Sequence, residues 1–272
     1  MDKLKVIYIA SLGHSGSTLL DVMLNQHSKF QSVGEILFHQ EWTENGYLCS
    51  CGSPIGSCPF WTEVSNNMDS SNDRSHASRQ VDAAYELLKG VSQLSKCEVI
   101  IDSSKSLDRL LMLRSDPRIE VKMVHLVRNG LAVAHSLTKS HDRPGTGNKL
   151  STPPTPLIKG ILRWLRRNRA YEKAAEQFGP TEYVRVRYED LCTDPEQVLG
   201  KIAGLVSEDF ETNMLSPTVK DLHNIAGSRW RYSDQPIHIS LDEKWTREMS
   251  WTSKFLFQLL AGRLNRSYGY DR

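Results

Sequence analysis

Lys5-Val6-Ile7-Tyr8-Ile9-Ala10-Ser11-Leu12-Gly13-His14-Ser15-Gly16-Ser17-Thr18-Leu19-Leu20 passes from an apolar run into a window of small residues, then into leucines. The run Lys5–Ala10 reads as a strand covered on both faces, as in a parallel sheet. From Gly13 to Thr18 every residue except His14 is small. Small residues let successive backbone N–H groups point inward, and a helix starting near Ser17 adds positive potential. The segment is therefore an anion cradle; a plain tight turn is the alternative. A nucleoside-triphosphate loop, G-x-x-x-x-G-K-[ST], needs a lysine after its second glycine. Aligning Gly16 to that glycine puts Ser11 at the first and Ser17 at the lysine. The missing ammonium argues against ATP or GTP hydrolysis and leaves a phosphate-like group of lower charge.

Outward from this segment, short β-branched runs alternate with helical patterns. Strands are expected at Lys5–Ala10, Phe30–Val33, Glu98–Asp102, Val121–Val127 and Glu182–Arg187. Helices are expected at Ser17–His27, Arg79–Gln93, Leu107–Arg114, Gly130–His141, Leu157–Phe178 and Pro195–Val206, with a closing one near Ser250–Asn265. Asp194-Pro195 is a helix start and Gly179-Pro180 a stop. Such alternation implies a three-layer α/β domain with right-handed crossovers. No linker separates the last third, so residues 1–272 read as one domain, with 207–272 as a covering C-terminal layer. Met68–Ser78 and the Pro- and Gly-rich Asp142–Pro156 read as loops without regular structure.

A second anion signal follows the fourth strand. Eight residues along a helix turn roughly 800°, which brings Arg128 and Ser136 within about 80° of each other on one side. The guanidinium can then share one anion with the serine hydroxyl.

Composition sets the outer bounds. Of 272 residues, 39% are hydrophobic, enough for a core and against disorder. Thirty-four Lys and Arg against 32 Asp and Glu leave +2, so no global field draws the chain to nucleic acid or a membrane. The uncharged run Val6–Leu20 is broken by Ser, Gly and His and is no membrane span. No signal-peptide pattern is present, and five cysteines fit no disulfide framework, so a cytoplasmic protein is expected. Cys49-x-Cys51-x6-Cys58 offers three nearby ligands without the usual C-x2-C spacing. It reads as reduced thiols packing beside Phe60 and Trp61, and no metal is expected. Lys159, Arg163, Arg166, Arg167 and Arg169 read as the solvated face of an amphipathic helix. His125, inside a strand, reads as a core histidine.

Taken in order, the motifs resemble the sulfotransferases that use 3′-phosphoadenosine-5′-phosphosulfate (PAPS). That family has a loop of type [KR]-S-G-[ST]-T-[LW] for the 5′-phosphosulfate and R-x7-S for the 3′-phosphate. This chain reads His14-Ser15-Gly16-Ser17-Thr18-Leu19 and Arg128-x7-Ser136. Ser32-Val33-Gly34-Glu35 is similar to the family's G-E segment, and Asp102-Ser103-Ser104-Lys105 to its strand-end lysine. Tyr188-Glu189-Asp190-Leu191, followed by Asp194-Pro195, is similar to its Y-E-D-L…D-P segment, whose tyrosine lies near the adenine. His223-Asn224-Ile225-Ala226-Gly227-Ser228-Arg229 resembles a basic loop that closes over the cofactor. The match runs from Lys5 to about Trp245.

The resemblance implies a P-loop-like fold with a central, mainly parallel five-stranded sheet flanked by helices. It implies transfer of the PAPS sulfuryl group to a hydroxyl or amino group of a small-molecule acceptor, releasing 3′-phosphoadenosine-5′-phosphate (PAP) without a metal. His14, Ser15, Gly16, Ser17, Thr18, Leu19, Arg128, Ser136, Tyr188, Gly227, Ser228 and Arg229 would hold the cofactor. Glu35 would be the base, with His14 and Lys105 stabilising the leaving oxygen and transferring group; His223 ranks below Glu35. His14 departs from the family's Arg or Lys, which makes its charge depend on protonation. Two rivals remain: a kinase with a degenerate loop, and a phosphoadenosine-nucleotide-binding module without turnover.

Overall fold

In β1 (Leu4–Ala10), Val6 to Ala10 are all buried and alternate between two separate cores. Val6, Tyr8 and Ala10 pack with Leu88, Val91, Leu110 and Leu113 on one face. Ile7 and Ile9 pack with Leu20, Met23, Leu24, Leu199 and Ile202 on the other. A strand that is apolar at every position therefore sits in the middle layer of three. These features come from a computed structural model that describes residues 3–67, 76–139, 141–142, 145, 151–219, 222–232 and 237–270.

The remaining strands are β2 (Phe30–Gly34), β3 (Val99–Asp102), β4 (Ile119–Val127) and β5 (Tyr183–Arg187). They form a wholly parallel sheet in the order β2-β3-β1-β4-β5. All five expected strands are present within a residue or two of their expected ends. The chain leaves β1 toward β2 and β3, then crosses back to β4 and β5. Strand C-termini at such a reversal open a crevice where ligands bind in α/β sheets.

Eleven α-helices occur among the described residues: α1 (Ser17–Leu24), α2 (His39–Glu44), α3 (Pro59–Asn66), α4 (His76–Ser95), α5 (Leu107–Ser115), α6 (Gly130–Leu137), α7 (Leu157–Ala175), α8 (Tyr188–Thr193), α9 (Pro195–Gly204), α10 (Lys244–Glu248) and α11 (Trp251–Ser267). Helices α4 and α5 cover one sheet face, α1 and α9 the other. A third core joins α6, α7 and α11 through Val133, Trp164 and Phe257. Asp194 caps α9 by accepting from the Gln197 N–H at 3.3 Å, as the Asp-Pro start implied.

Two segments differ from the sequence reading. Helix α6 stops at Leu137, short of the expected His141, and its last turn is tied by Thr138 N–H to His135 O at 3.1 Å. The segment from Asp142 to Pro156 was expected to lack regular structure, yet His141–Asp142 pairs antiparallel with Ser151–Thr152; residues 143–144 and 146–150 lie outside the described part. Met68–Ser78 falls mostly outside it as well, and α4 begins at His76. No helix among the described residues is long and apolar enough to cross a membrane.

Candidate active site

The loop between β1 and α1 turns through the Ser15 N–H, which donates to the Leu12 carbonyl at 3.2 Å, and opens on the first N–H groups of α1. Gly16, the residue before α1, has φ +87°, and no side chain caps the helix. Helices α5, α6, α9 and α11 are capped by a side chain, whereas α1, like α2, α3, α7, α8 and α10, is not; what distinguishes α1 is its place at the end of the central strand. The uncapped first turn presents donors and positive potential at the end of the central strand. Only glycine fits position 16, because a Cβ there would lie 2.3 Å from Cδ2 of Tyr188. His14 also takes a left-handed backbone, φ +73°. Ser15 and Ser17 are buried, while Thr18 and Leu19 are partly exposed on α1.

Arg128, at the end of β4, and Ser136, on α6, both converge on His14. Arg128 Nη1 donates to the His14 carbonyl at 3.0 Å. Ser136 Oγ lies 3.0 Å from His14 Nδ1. The Arg128 guanidinium sits 4.5 Å from the Tyr188 ring centroid. Tyr188 donates its hydroxyl to the Ser240 carbonyl at 3.1 Å, and burial pushes its phenol well above the usual range. The i, i+8 geometry read from sequence thus places both side chains against the first loop.

Asp242 was missed by sequence reasoning. Arg128 Nη2 donates to its carbonyl at 2.9 Å and to its Oδ2 at 3.2 Å. Burial pushes the Asp242 carboxyl up, but the Lys244 N–H and the Arg128 guanidinium outweigh this and hold it below the usual carboxylate range. No local pattern marks the position. Arg128 Nε is buried with no hydrogen-bond partner in the structure. This spare donor, the uncapped α1 and the glycine cradle together fit a phosphate-bearing ligand.

Glu35 and Lys105 form a second group, at the ends of β2 and β3. Lys105 Nζ donates to Glu35 Oε1 at 2.7 Å, with both side chains about 15% exposed. Lys105 takes φ +57°, a costly conformation for a non-glycine residue. The Glu35 N–H donates to the Ile225 carbonyl at 2.9 Å, which docks the 222–232 segment on the end of β2. That segment is anchored by a buried network also missed from the sequence. Arg231 pairs with Asp21, and Asn224 Nδ2 donates to Asp21 Oδ2 at 3.1 Å and to Ser32 Oγ at 2.9 Å. Gly227, φ +100°, folds over the Arg231 guanidinium, and the Ser228 carbonyl accepts from the Arg231 N–H at 3.1 Å. The Arg229 side chain lies outside the described part.

His125 is fully buried and hydrogen-bonds Asn168 Oδ1 through Nε2 at 3.1 Å, the core role read from its strand. The basic residues of α7 occupy its outer side, with Ile161, Trp164 and Tyr171 buried. His223 stacks on Phe60, and its Nδ1 lies 3.3 Å from Cys58 Sγ.

A family model described as "Sulfotransferase family" matches residues 104–211. No curated protein matches the chain. Among solved structures, the fold is similar to the sulfotransferase domain of the Synechococcus PCC 7002 olefin synthase. The identity is 24% and the TM-score 0.64, over 100% of this chain and 96% of that one. It is similar to the sulfotransferase domain from the curacin biosynthetic pathway at 21% identity and TM-score 0.57, over 97% and 98% of the two chains. A mouse sulfotransferase complexed with PAP matches at 12% identity and TM-score 0.52, over 98% and 88%. A sulfotransferase model over the middle of the chain and a sulfotransferase fold over its length bear out the resemblance carried by the motifs.

Proposed function

We propose that this protein is a PAPS-dependent sulfotransferase acting on a hydroxyl or amino group of a small-molecule acceptor. One observation carries the reading: Arg128 and Ser136, eight residues apart, both contact His14 of the loop that opens α1. Two anion-binding elements from separate strands thereby form one constellation, as a ligand with two phosphate-type groups requires. The mouse neighbour complexed with PAP supports the same ligand.

PAPS would supply an activated sulfuryl group on a phosphosulfate anhydride. The α1 N–H groups of Ser17, Thr18 and Leu19, with the Gly16 backbone, hold the 5′ end, and Ser15 shapes the loop through its bond to the Leu12 carbonyl. Arg128 and Ser136 hold the 3′-phosphate, with Tyr188 beside them on the adenine side. Gly227, Ser228 and Arg229 close the cofactor from the C-terminal segment. Glu35 takes the acceptor proton, and Lys105, already hydrogen-bonded to it, faces the transferring group. His14 and Lys105 meet the charge that grows on the bridging oxygen.

The test has two arms. Calorimetry compares PAP with AMP and ATP, and PAP should bind far more tightly. A metabolite screen with isotopically labelled PAPS, read by mass spectrometry, should find an acceptor that gains SO3. Tighter ATP binding with Mg2+-dependent phosphorylation would replace the reading with a kinase. Tight PAP binding with no sulfated product across hydroxyl and amine acceptors would leave a binding module.

A further inference from the structure

Three cysteines of one loop meet a histidine from the far end of the chain. Cys49 Sγ, Cys51 Sγ, Cys58 Sγ and a ring nitrogen of His223 all lie within 4.8 Å of one another. Cys51 Sγ to Cys58 Sγ is 3.6 Å, Cys58 Sγ to His223 Nδ1 is 3.3 Å, and Cys49 Sγ to His223 Nδ1 is 3.9 Å. A tetrahedral zinc with Zn–S of about 2.3 Å and Zn–N of about 2.0 Å has S–S edges of roughly 3.8 Å and S–N edges of roughly 3.6 Å. The three observed edges lie within about 0.3 Å of these values, and the remaining pairs stay within 4.8 Å, close enough to draw in around an ion. A disulfide needs sulfurs at about 2.05 Å, and the Cys51–Cys58 separation is well beyond that.

The donors are held by other contacts. Cys49 N–H donates to the Ser53 carbonyl at 2.8 Å and Gly52 N–H to the Cys49 carbonyl at 2.9 Å, closing a tight loop at Gly52 with φ +89°. The His223 ring lies flat on Phe60, centroids 4.8 Å apart and planes 2° from parallel. Phe60 stands two residues after Cys58, at the start of α3. Ser50 ties the two segments together, with Asn224 N–H donating to its Oγ at 2.8 Å and its Oγ donating to the Leu222 carbonyl at 2.7 Å. Cys49 and Cys58 are buried while Cys51 is exposed, which leaves an entry path from solvent.

We propose that Cys49, Cys51, Cys58 and His223 form a structural zinc site. A set of three thiolates and one imidazole suits zinc above harder cations, and four protein ligands close the coordination sphere against catalysis. Binding releases the thiol protons to solvent as the sulfurs coordinate. The ion staples the Cys49–Cys58 loop to the segment whose Ile225 carbonyl receives the Glu35 N–H and whose Arg231 pairs with Asp21. It therefore acts on the architecture beside Glu35, whatever reaction the chain performs.

The test uses the full chain expressed with added zinc, its metal content read by mass spectrometry. One zinc per chain is expected, and replacement by Co2+ should give the strong visible bands of a tetrahedral, thiolate-rich site. Cys51→Ser, at the exposed ligand, and His223→Ala should lose the metal and these bands, whereas Cys97→Ser and Cys192→Ser should keep both. Removal of zinc from wild type by a chelator should lower Tm, and zinc should restore it. Folded wild type with well under one zinc per chain and no tetrahedral cobalt spectrum would overturn the proposal. So would a native Cys51–Cys58 disulfide, or full metal retention in both ligand variants.

Discussion

Ser136 Oγ and His14 Nδ1 lie 3.0 Å apart, so the serine of the R-x7-S pair holds the imidazole that opens the anion loop. The contact fixes the ring through one nitrogen. A cationic ring can donate through Nδ1 to the serine oxygen, while a neutral one can accept there instead. An arginine at position 14 would carry its charge at every working pH. Wild-type turnover should fall at alkaline pH as the imidazole loses its proton, and His14→Arg should keep activity with a flatter alkaline limb. Single-turnover pH–rate profiles decide this, and superimposable alkaline limbs would remove the charged role of His14.

Arg128 should dominate discrimination for the 3′-phosphate. Losing charge-assisted hydrogen bonds to a largely buried phosphate costs ~2–4 kcal/mol, so Arg128→Ala should weaken PAP binding by well over tenfold. AMP, which lacks that phosphate, should be little affected. Calorimetry with the two ligands separates this from general damage, since misfolding would weaken both.

Asp242 is paired with the guanidinium assigned to the 3′-phosphate in the proposed reading. A phosphate arriving at Arg128 meets a carboxylate already on Nη2, and like charges side by side are unfavourable. Asp242→Asn should therefore tighten PAP by several fold. Titration at two ionic strengths should also show a smaller gap between variant and wild type at high salt, where screening blunts the repulsion. Weaker binding by the variant would assign Asp242 a positioning role instead.

Glu35→Gln removes the proton acceptor and keeps a hydrogen-bond acceptor for Lys105. Turnover should drop by ~10²–10⁴ while PAP affinity stays within a few fold. Near-wild-type turnover on a weakly acidic acceptor would exclude Glu35 as the base.

His125 predicts an acid-side loss of stability. Burial pushes its imidazole down to about 4 from the ordinary 6.5. The folded-state value is the lower one, so an unfolded chain binds a proton that the native chain refuses between those values. The contribution is fully present above pH 6.5 and is lost as pH falls toward 4, by at most roughly 3 kcal/mol. His125→Asn should flatten the dependence of urea-unfolding free energy on pH over that window. An unchanged slope would place the acid sensitivity elsewhere.

What sequence could reveal followed the range of the underlying physics. Buried parallel strands need apolar residues at nearly every position, so β1 and β4 announce themselves. Arg128 and Ser136 are legible because helical rotation is a local constraint. Helix α8 escaped because six residues hold under two turns of periodicity. Asp21 with Arg231, and His223 with Cys58, escaped for a different reason. Their partners are 210 and 165 positions apart, and no periodicity encodes a contact of that length. The cysteine loop looked incomplete because its fourth donor comes from the C-terminal segment. Asp242 sits in the stretch with the weakest pattern of all.

The strand order also governs how such a protein can diverge. Groups assigned to the donor come from β1, β4 and β5 and from the 222–232 segment docked on β2, while Glu35 and Lys105 come from the ends of β2 and β3, across the central strand. The chain following Glu35, through α2 and α3, is inserted between β2 and β3 and packs against that segment through Ser50 and Cys58. Substitutions in α2 or the loop after it can reshape what is admitted next to Glu35, provided the ties from Ser50 and Cys58 to the segment carrying Gly227 and Ser228 are kept. Exchanging the 36–67 stretch between proteins of this fold is thus a route to new acceptors only when residues 222–232 travel with it, and donor affinity then reads whether the two pieces were grafted as one unit.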